Sequence, residues 1–246
     1  MMRNKISLIL LFFMLCLFYT TSCVVDADPP SITSLRKNTP VNIDGVLNLD
    51  EWGDSATVNV PVGTGVSFDY YLYVKNDEEW VYICLDVVGD ITESLGDEAD
   101  LIFDTGNDGI LTDGGEDKLH CVSDGVNRHF VYNSSAGAWP YIHCTSPSGV
   151  PFDDHGKDEE GTVAAIGFGT SNNSATPHRI YEYRIPMDFG ELNVEPGETL
   201  GVMIYIWDVS TTSSSLWPRE CSVWTPSSWG DIGLDDCTLY VKGEYP

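Results

Sequence analysis

Between Asp97 and Asp117 the chain carries eight carboxylates: Asp97, Glu98, Asp100, Asp104, Asp108, Asp113, Glu116 and Asp117. Glycines at 96, 106, 109, 114 and 115 are interleaved with them or border them. Acids this crowded repel one another unless a cation neutralises them, and glycines let backbone carbonyls turn inward as further oxygen ligands. The chemistry implied is therefore binding of a hard divalent cation. Calcium is the natural choice, with Asp97, Asp100, Asp104, Asp108, Asp113, Glu116 and Asp117 as expected ligands. A solvated acidic turn is the competing reading.

A second kind of chemistry is carried by tryptophans. Trp139, Trp217 and Trp224 stand beside Pro140 and Pro218, or two positions before Pro226, where a stiff backbone could hold an exposed ring. Flat aromatic faces pack against the C–H faces of a pyranose while nearby polar groups fix its hydroxyls. Arg219 and Glu220 are the expected polar partners, and core packing is an equally strong expectation for each tryptophan. Trp52, which follows two acids and precedes Gly53, is expected to anchor a core.

Catalytic patterns are absent. His120, His129, His143, His155 and His178 form no H-x-x-x-H pair, and no G-x-S-x-G elbow, phosphate loop or dinucleotide fingerprint occurs. Glu182 alternates with Tyr181 and Tyr183 and has no second acid placed for glycosidase chemistry. An axial haem pair built from Met187 or Met203 with a histidine is a weaker alternative, without supporting spacing.

The elements that must position these residues read as strands. Segments 66–75, 80–88, 100–104, 128–132, 162–168, 179–185 and 200–209 are rich in β-branched and aromatic residues and are separated by Gly, Asn, Asp and Pro clusters. In 80–88, Val81, Ile83, Leu85 and Val87 fall on one face and Tyr82, Cys84 and Asp86 on the other. The expected fold is all-β: an antiparallel, jelly-roll-like sandwich forming a single domain.

Residues 1–27 have the layout of a secretory signal peptide, with Arg3 and Lys5 before an apolar run from Ile6 to Phe18. Processing before Cys23 would instead place a lipid anchor there, so a secreted or surface-attached location is expected. Residues 28–40 read as a linker and 41–246 as the domain. A net charge of −26 repels nucleic acid and anionic membranes.

Beyond the signal peptide the cysteines are Cys84, Cys121, Cys144, Cys221 and Cys237, and none forms a C-x-x-C pair. Sequence leaves their pairing open. Cys121 with Cys144 and Cys221 with Cys237 are preferred because each pair flanks a single loop-like segment, which leaves Cys84 as a buried thiol. Asn133 and Asn172 open N-x-S glycosylation patterns.

The stretch from Asp104 to Gly109 is similar to the start of an EF-hand, but Gly106 replaces an oxygen-bearing residue, the twelfth position is Gly115, and no helix flanks it. A calcium loop between strands fits better. Five blocks in order resemble family-nine carbohydrate-binding modules and their relatives: Val41 to Trp52, Trp80 to Ile83, Asp100 to Gly109, Tyr181 to Pro186, and Trp229 to Leu234. The resemblance implies a β-sandwich with bound calcium and a sugar clasped between aromatic rings. The partner implied is an extracellular glycan or cell-envelope polysaccharide. A structural or adhesive envelope protein without a small ligand remains the alternative.

Overall fold

The computed structural model describes residues 30–111, 162–187 and 192–237 with their side chains, and 117–123, 126–131 and 141–145 as backbone strands. The signal segment, Asn133, Trp139, Asp113 and Glu116 lie outside the described residues.

Two sheets carry almost all of the described secondary structure. The first runs β1 (Ser31–Thr33), β14 (Gly230–Gly233), β12 (Thr199–Asp208), β6 (Glu98–Asp104), β7 (Asp117–Ser123), β8 (Val126–Val131) and β9 (Tyr141–Thr145). On the far edge of β12 two strands share its length: β14 takes Thr199 to Val202, and β13 (Ser213–Trp217) takes Ile204 to Asp208. The second sheet runs β10 (Val163–Gly169), β11 (His178–Pro186), β5 (Trp80–Val87), β4 (Tyr70–Asn76) and β2 (Leu35–Arg36), with β3 (Ala56–Val60) also on β4.

Period-2 alternation decides what lies between the sheets. Val81, Ile83, Leu85 and Val87 of β5 meet Leu101 and Phe103 of β6 and Val202, Ile204 and Ile206 of β12 in one apolar core. Tyr82 and Cys84, on the opposite face of β5, join Trp52, Leu47, Tyr73 and Ile180 in a separate cluster outside the second sheet. On the outside of the first sheet, Ile102 and Met203 are covered by Cys221 and Trp229 from the segment after β13.

The outer cluster of the second sheet explains two of the sequence blocks. A single helical turn, α1 (Leu49–Trp52), is capped by the Asn48 side chain and delivers Trp52 onto the sheet. There the buried Glu182 carboxylate accepts hydrogen bonds from Trp52 Nε1 at 2.8 Å, Gly45 N at 2.8 Å and Asp44 N at 2.9 Å. Burial pushes the Glu182 carboxyl up to about 7 against the pull of these three donors. Glu182 is thus a structural latch on the segment from Val41 to Trp52. Gly45 (φ +80°) needs a left-handed backbone and lies on Gly167 of β10.

Neither preferred disulfide pairing fits the fold. Cys121 and Cys144 each lie opposite Arg128, on either side of β8, so two strand spacings, roughly 10 Å, separate their backbones. A disulfide spans less than about 7 Å between Cα atoms. Cys221 and Cys237 are both free: Cys221 lies beneath Trp229, and Cys237 lies beside Asn76, whose Nδ2 is 3.5 Å from its Sγ. Cys84 is free and buried, as expected.

Candidate functional site

The acidic stretch does not fold into one loop. β6 runs through its middle, so Asp97 and Asp104 stand at opposite ends of a strand roughly 20 Å long. Asp104 accepts the backbone N–H groups of Gly109 at 2.8 Å and Asp108 at 3.3 Å, and Asp108 accepts that of Ile110 at 2.8 Å. These carboxylates accept backbone donors of their own turn. Asp117 pairs its backbone with Asp104 across the sheet, and Asp100 sits in mid-strand.

Asp97 instead meets two acids from distant positions. Asp90 closes the turn after β5 and Asp208 ends β12; one carboxylate oxygen from each of Asp90, Asp97 and Asp208 lies within 4.8 Å of the others, and all three residues are buried. Asp97 Oδ2 receives Arg179 Nη2 at 2.6 Å, and its Oδ1 accepts Val209 N at 3.1 Å. Asp208 Oδ1 accepts Ser210 N at 2.7 Å, and its Oδ2 accepts Thr211 Oγ1 at 2.7 Å. Burial works against the Asp208 charge, but the bonds from Thr211 and Ser210 outweigh it and hold this carboxyl below the usual range.

Asp90 is the odd member. Its Oδ2 is buried without any hydrogen-bond partner. Burial first, then the charges of Asp208 and Asp97, push its carboxyl up to about 7. An orphaned carboxylate oxygen facing two other carboxylates is costly as it stands. A calcium ion fits the donor set: its ligands are hard oxygens at about 2.3–2.6 Å, so oxygens around one ion are up to about 5 Å apart. The charges agree as well. With all three acids ionised, three carboxylates and one guanidinium carry a surplus of two negative charges, which one divalent ion cancels.

The expected sugar platform also rearranges. Trp217 is only 4 % exposed and belongs to the main core, with its ring against Gly230. Its segment is strand β13, paired with β12, because Ser215 and Trp217 alternate inward behind a Ser-rich stretch that reads like a loop. Arg219 does not flank that ring; it reaches Pro61 O at 2.5 Å and covers Gly63. Glu220 is exposed beside it with φ +62°. Trp224 is 53 % exposed and satisfies the expectation of a ring held out on a loop.

An aromatic face that sequence reasoning missed lies on the outside of the first sheet. Since Leu200, Val202, Ile204 and Ile206 face the core, Met203, Tyr205 and Trp207 face out. On β6, Glu98 and Asp100 face out beside them, in register Tyr205 to Asp100 and Trp207 to Glu98. Tyr205 and Trp207 are both partly buried, with part of each ring accessible. The segment from Pro218 to Trp229 covers Met203 and Ile102, Tyr205 packs against the same cluster, and Trp224 stands exposed in that covering segment. Burial raises the Tyr205 phenol, and the Glu98 and Asp100 charges raise it further, so both carboxylates are electrostatically felt at the ring. Strand alternation was the signal available in sequence, applied here to the outward side.

The methionines form no axial pair with a histidine among the described residues. Met187 packs in the main core and Met203 under Trp229. Both ring nitrogens of His178 are engaged, Nε2 with Asp86 at 2.5 Å and Nδ1 with Thr176 O at 2.7 Å.

Two β-sheets packed around one apolar core form a β-sandwich, a fold shared with solved family-nine carbohydrate-binding modules. No family model and no curated protein matches the sequence, so this likeness is one of structure. The chain is similar to a family-nine carbohydrate-binding module from Caldicellulosiruptor kristjanssonii in complex with cellotriose, at 15% identity and a TM-score of 0.54, covering 88% of this chain and 100% of that one. The same description with glucose bound applies to a second structure, at 15% identity and a TM-score of 0.50, covering 83% and 95%.

Proposed function

We propose that this protein is a non-catalytic, secreted or surface-attached carbohydrate-binding domain, stabilised by calcium, whose partner is an extracellular glycan. The observation that carries this reading is the outward face of β6 and β12. There Tyr205 and Trp207 offer stacking surfaces and Glu98 and Asp100 offer hydroxyl acceptors, beside a covering segment that exposes Trp224. Neighbours in fold that bind cellotriose and glucose support it.

Isothermal titration with cellotriose tests the reading. Wild-type protein is expected to bind, and Trp207→Ala and Trp224→Ala each to weaken binding by about fivefold or more, since a stacked ring contributes on the order of 1 kcal/mol beyond its burial. No heat with cellotriose or with a broad glycan panel would transfer the molecule to the structural-protein reading. Equal binding by both variants would move the site elsewhere.

Asp90, Asp97 and Asp208 would hold the calcium, each through a carboxylate oxygen. The ion would neutralise the cluster and join the turn after β5 to the end of β12. Because an ion bound only by the folded chain shifts unfolding by mass action, chelation is expected to lower the melting temperature, and Asp90→Asn to reduce that response. An unchanged melting curve, with no metal found by elemental analysis, would remove calcium from the proposal.

A further inference from the structure

The segment between Asp90 and Asp97 is held in an unusual way. Both end residues are fully buried, yet none of the side chains from Ile91 to Gly96 is buried, and Leu95 is 88 % exposed. Apolar packing therefore does not fix this loop. What holds it are polar anchors. Thr92 N donates to Asp90 Oδ1 and Ser94 N to Asp97 Oδ2, Arg179 Nη2 reaches Ser94 O at 3.0 Å, and Val209 N reaches Asp97 Oδ1 at 3.1 Å. Gly96 takes the left-handed φ of +92° that this turn requires, and a Cβ there would stand 3.9 Å from Val209. Two of the three acids in the cluster thus terminate this loop, and the third terminates β12.

The same residues adjoin the aromatic face directly. Asp97 precedes Glu98 and Trp207 precedes Asp208, and Glu98 and Trp207 are cross-strand partners. The last rung of the ladder that carries the outward face is therefore flanked on both strands by a cluster acid. With the cation bound, the two strand ends are drawn together. Without it, repulsion among the ionised carboxylates opposes this approach, at the point where Glu98 and Trp207 must share one ligand.

We propose that occupancy of the Asp90–Asp97–Asp208 cluster by a divalent cation sets glycan affinity at the β6–β12 face, so that cation and sugar bind with positive linkage. This rests on the sugar-binding and calcium readings above. Asp97 and Asp208 act as positioning residues: they touch the ion, and through the ion they place Glu98 and Trp207. Linkage is reciprocal, so whatever factor calcium adds to sugar affinity, sugar must add to calcium affinity.

The test is a pair of titrations on the whole domain. Cellotriose is titrated into protein saturated with calcium chloride and into protein stripped with EGTA; calcium is titrated with and without saturating cellotriose. The expected result is a cellotriose affinity about tenfold higher with calcium, the same factor in the reverse titration, and a smaller factor in Asp90→Asn, with near-UV circular dichroism unchanged throughout. Equal cellotriose affinity with and without a demonstrably bound ion overturns the linkage and leaves the sugar reading standing. No calcium binding overturns it likewise. No cellotriose binding by the calcium-loaded protein removes both the sugar reading and the linkage. Loss of the near-UV signal on stripping would make the ion a folding requirement and overturn its role as a modulator.

Discussion

His178 shows how much a single buried side chain can impose. Its Nδ1 faces a carbonyl and its Nε2 a carboxylate, two acceptors that favour the form in which both ring nitrogens carry protons. Burial alone would lower its pKa; the bonds to Asp86 and Thr176 O outweigh this and raise it. A raised folded pKa makes this contribution complete below the unfolded value of about 6.5 and lost as pH rises through the higher folded value. Urea unfolding is therefore expected to show stability declining above about pH 6.5, and His178→Gln to flatten that slope. A wild-type profile parallel to that of the variant would show that the imidazole is neutral. None of this was legible in the sequence, where His178 was one of five scattered histidines. Its partner Asp86 is contributed by a neighbouring strand far away in the chain.

Strands were the most legible elements, because alternation is a local property that survives into the fold. β5 reads correctly on both faces from its eight residues alone. What alternation does not reveal is what each outward face meets. Trp217 was read as loop and is a core residue of β13, whereas Tyr205 and Trp207 lie on the outer side of β12 and stay partly accessible. The cluster of three acids was half legible: Asp97 belongs to the acidic stretch, but Asp90 and Asp208 are isolated acids that only the sheet topology brings together.

Close approach between elements is equally invisible before folding. A Cβ on Gly167 would stand 1.9 Å from the Gly45 carbonyl oxygen, while one on Gly169 of the same strand would meet nothing within 4 Å. Gly167→Ala is thus expected to cost about 1–3 kcal/mol and Gly169→Ala essentially nothing, measured by denaturant midpoints. Equal midpoints would show that the latch segment yields freely to β10.

At the scale of the whole molecule, charge limits the choice of partner. The chain carries −26, and two of its carboxylates, Glu98 and Asp100, lie on the outward face. Neutral glycans approach without opposition, whereas carboxylated ones meet like charge at long range and again at the face. Affinity electrophoresis at low ionic strength is expected to show retardation by a neutral β-glucan and none by polygalacturonate. Retardation by both would assign recognition to contacts that ignore charge. The chain enters the sandwich through β1, which pairs with β14 in parallel, from Ser31 with Asp231 to Thr33 with Gly233. Further bonds continue this ladder, from Asp231 N to Pro30 O and from Ser34 N to Gly233 O. A pull applied before Pro30 and resisted beyond Cys237 runs along these two strands in opposite directions. The ladder is then loaded in shear, its rungs must fail together instead of unzipping one by one, and the joint resists tension far better than its three-residue length suggests.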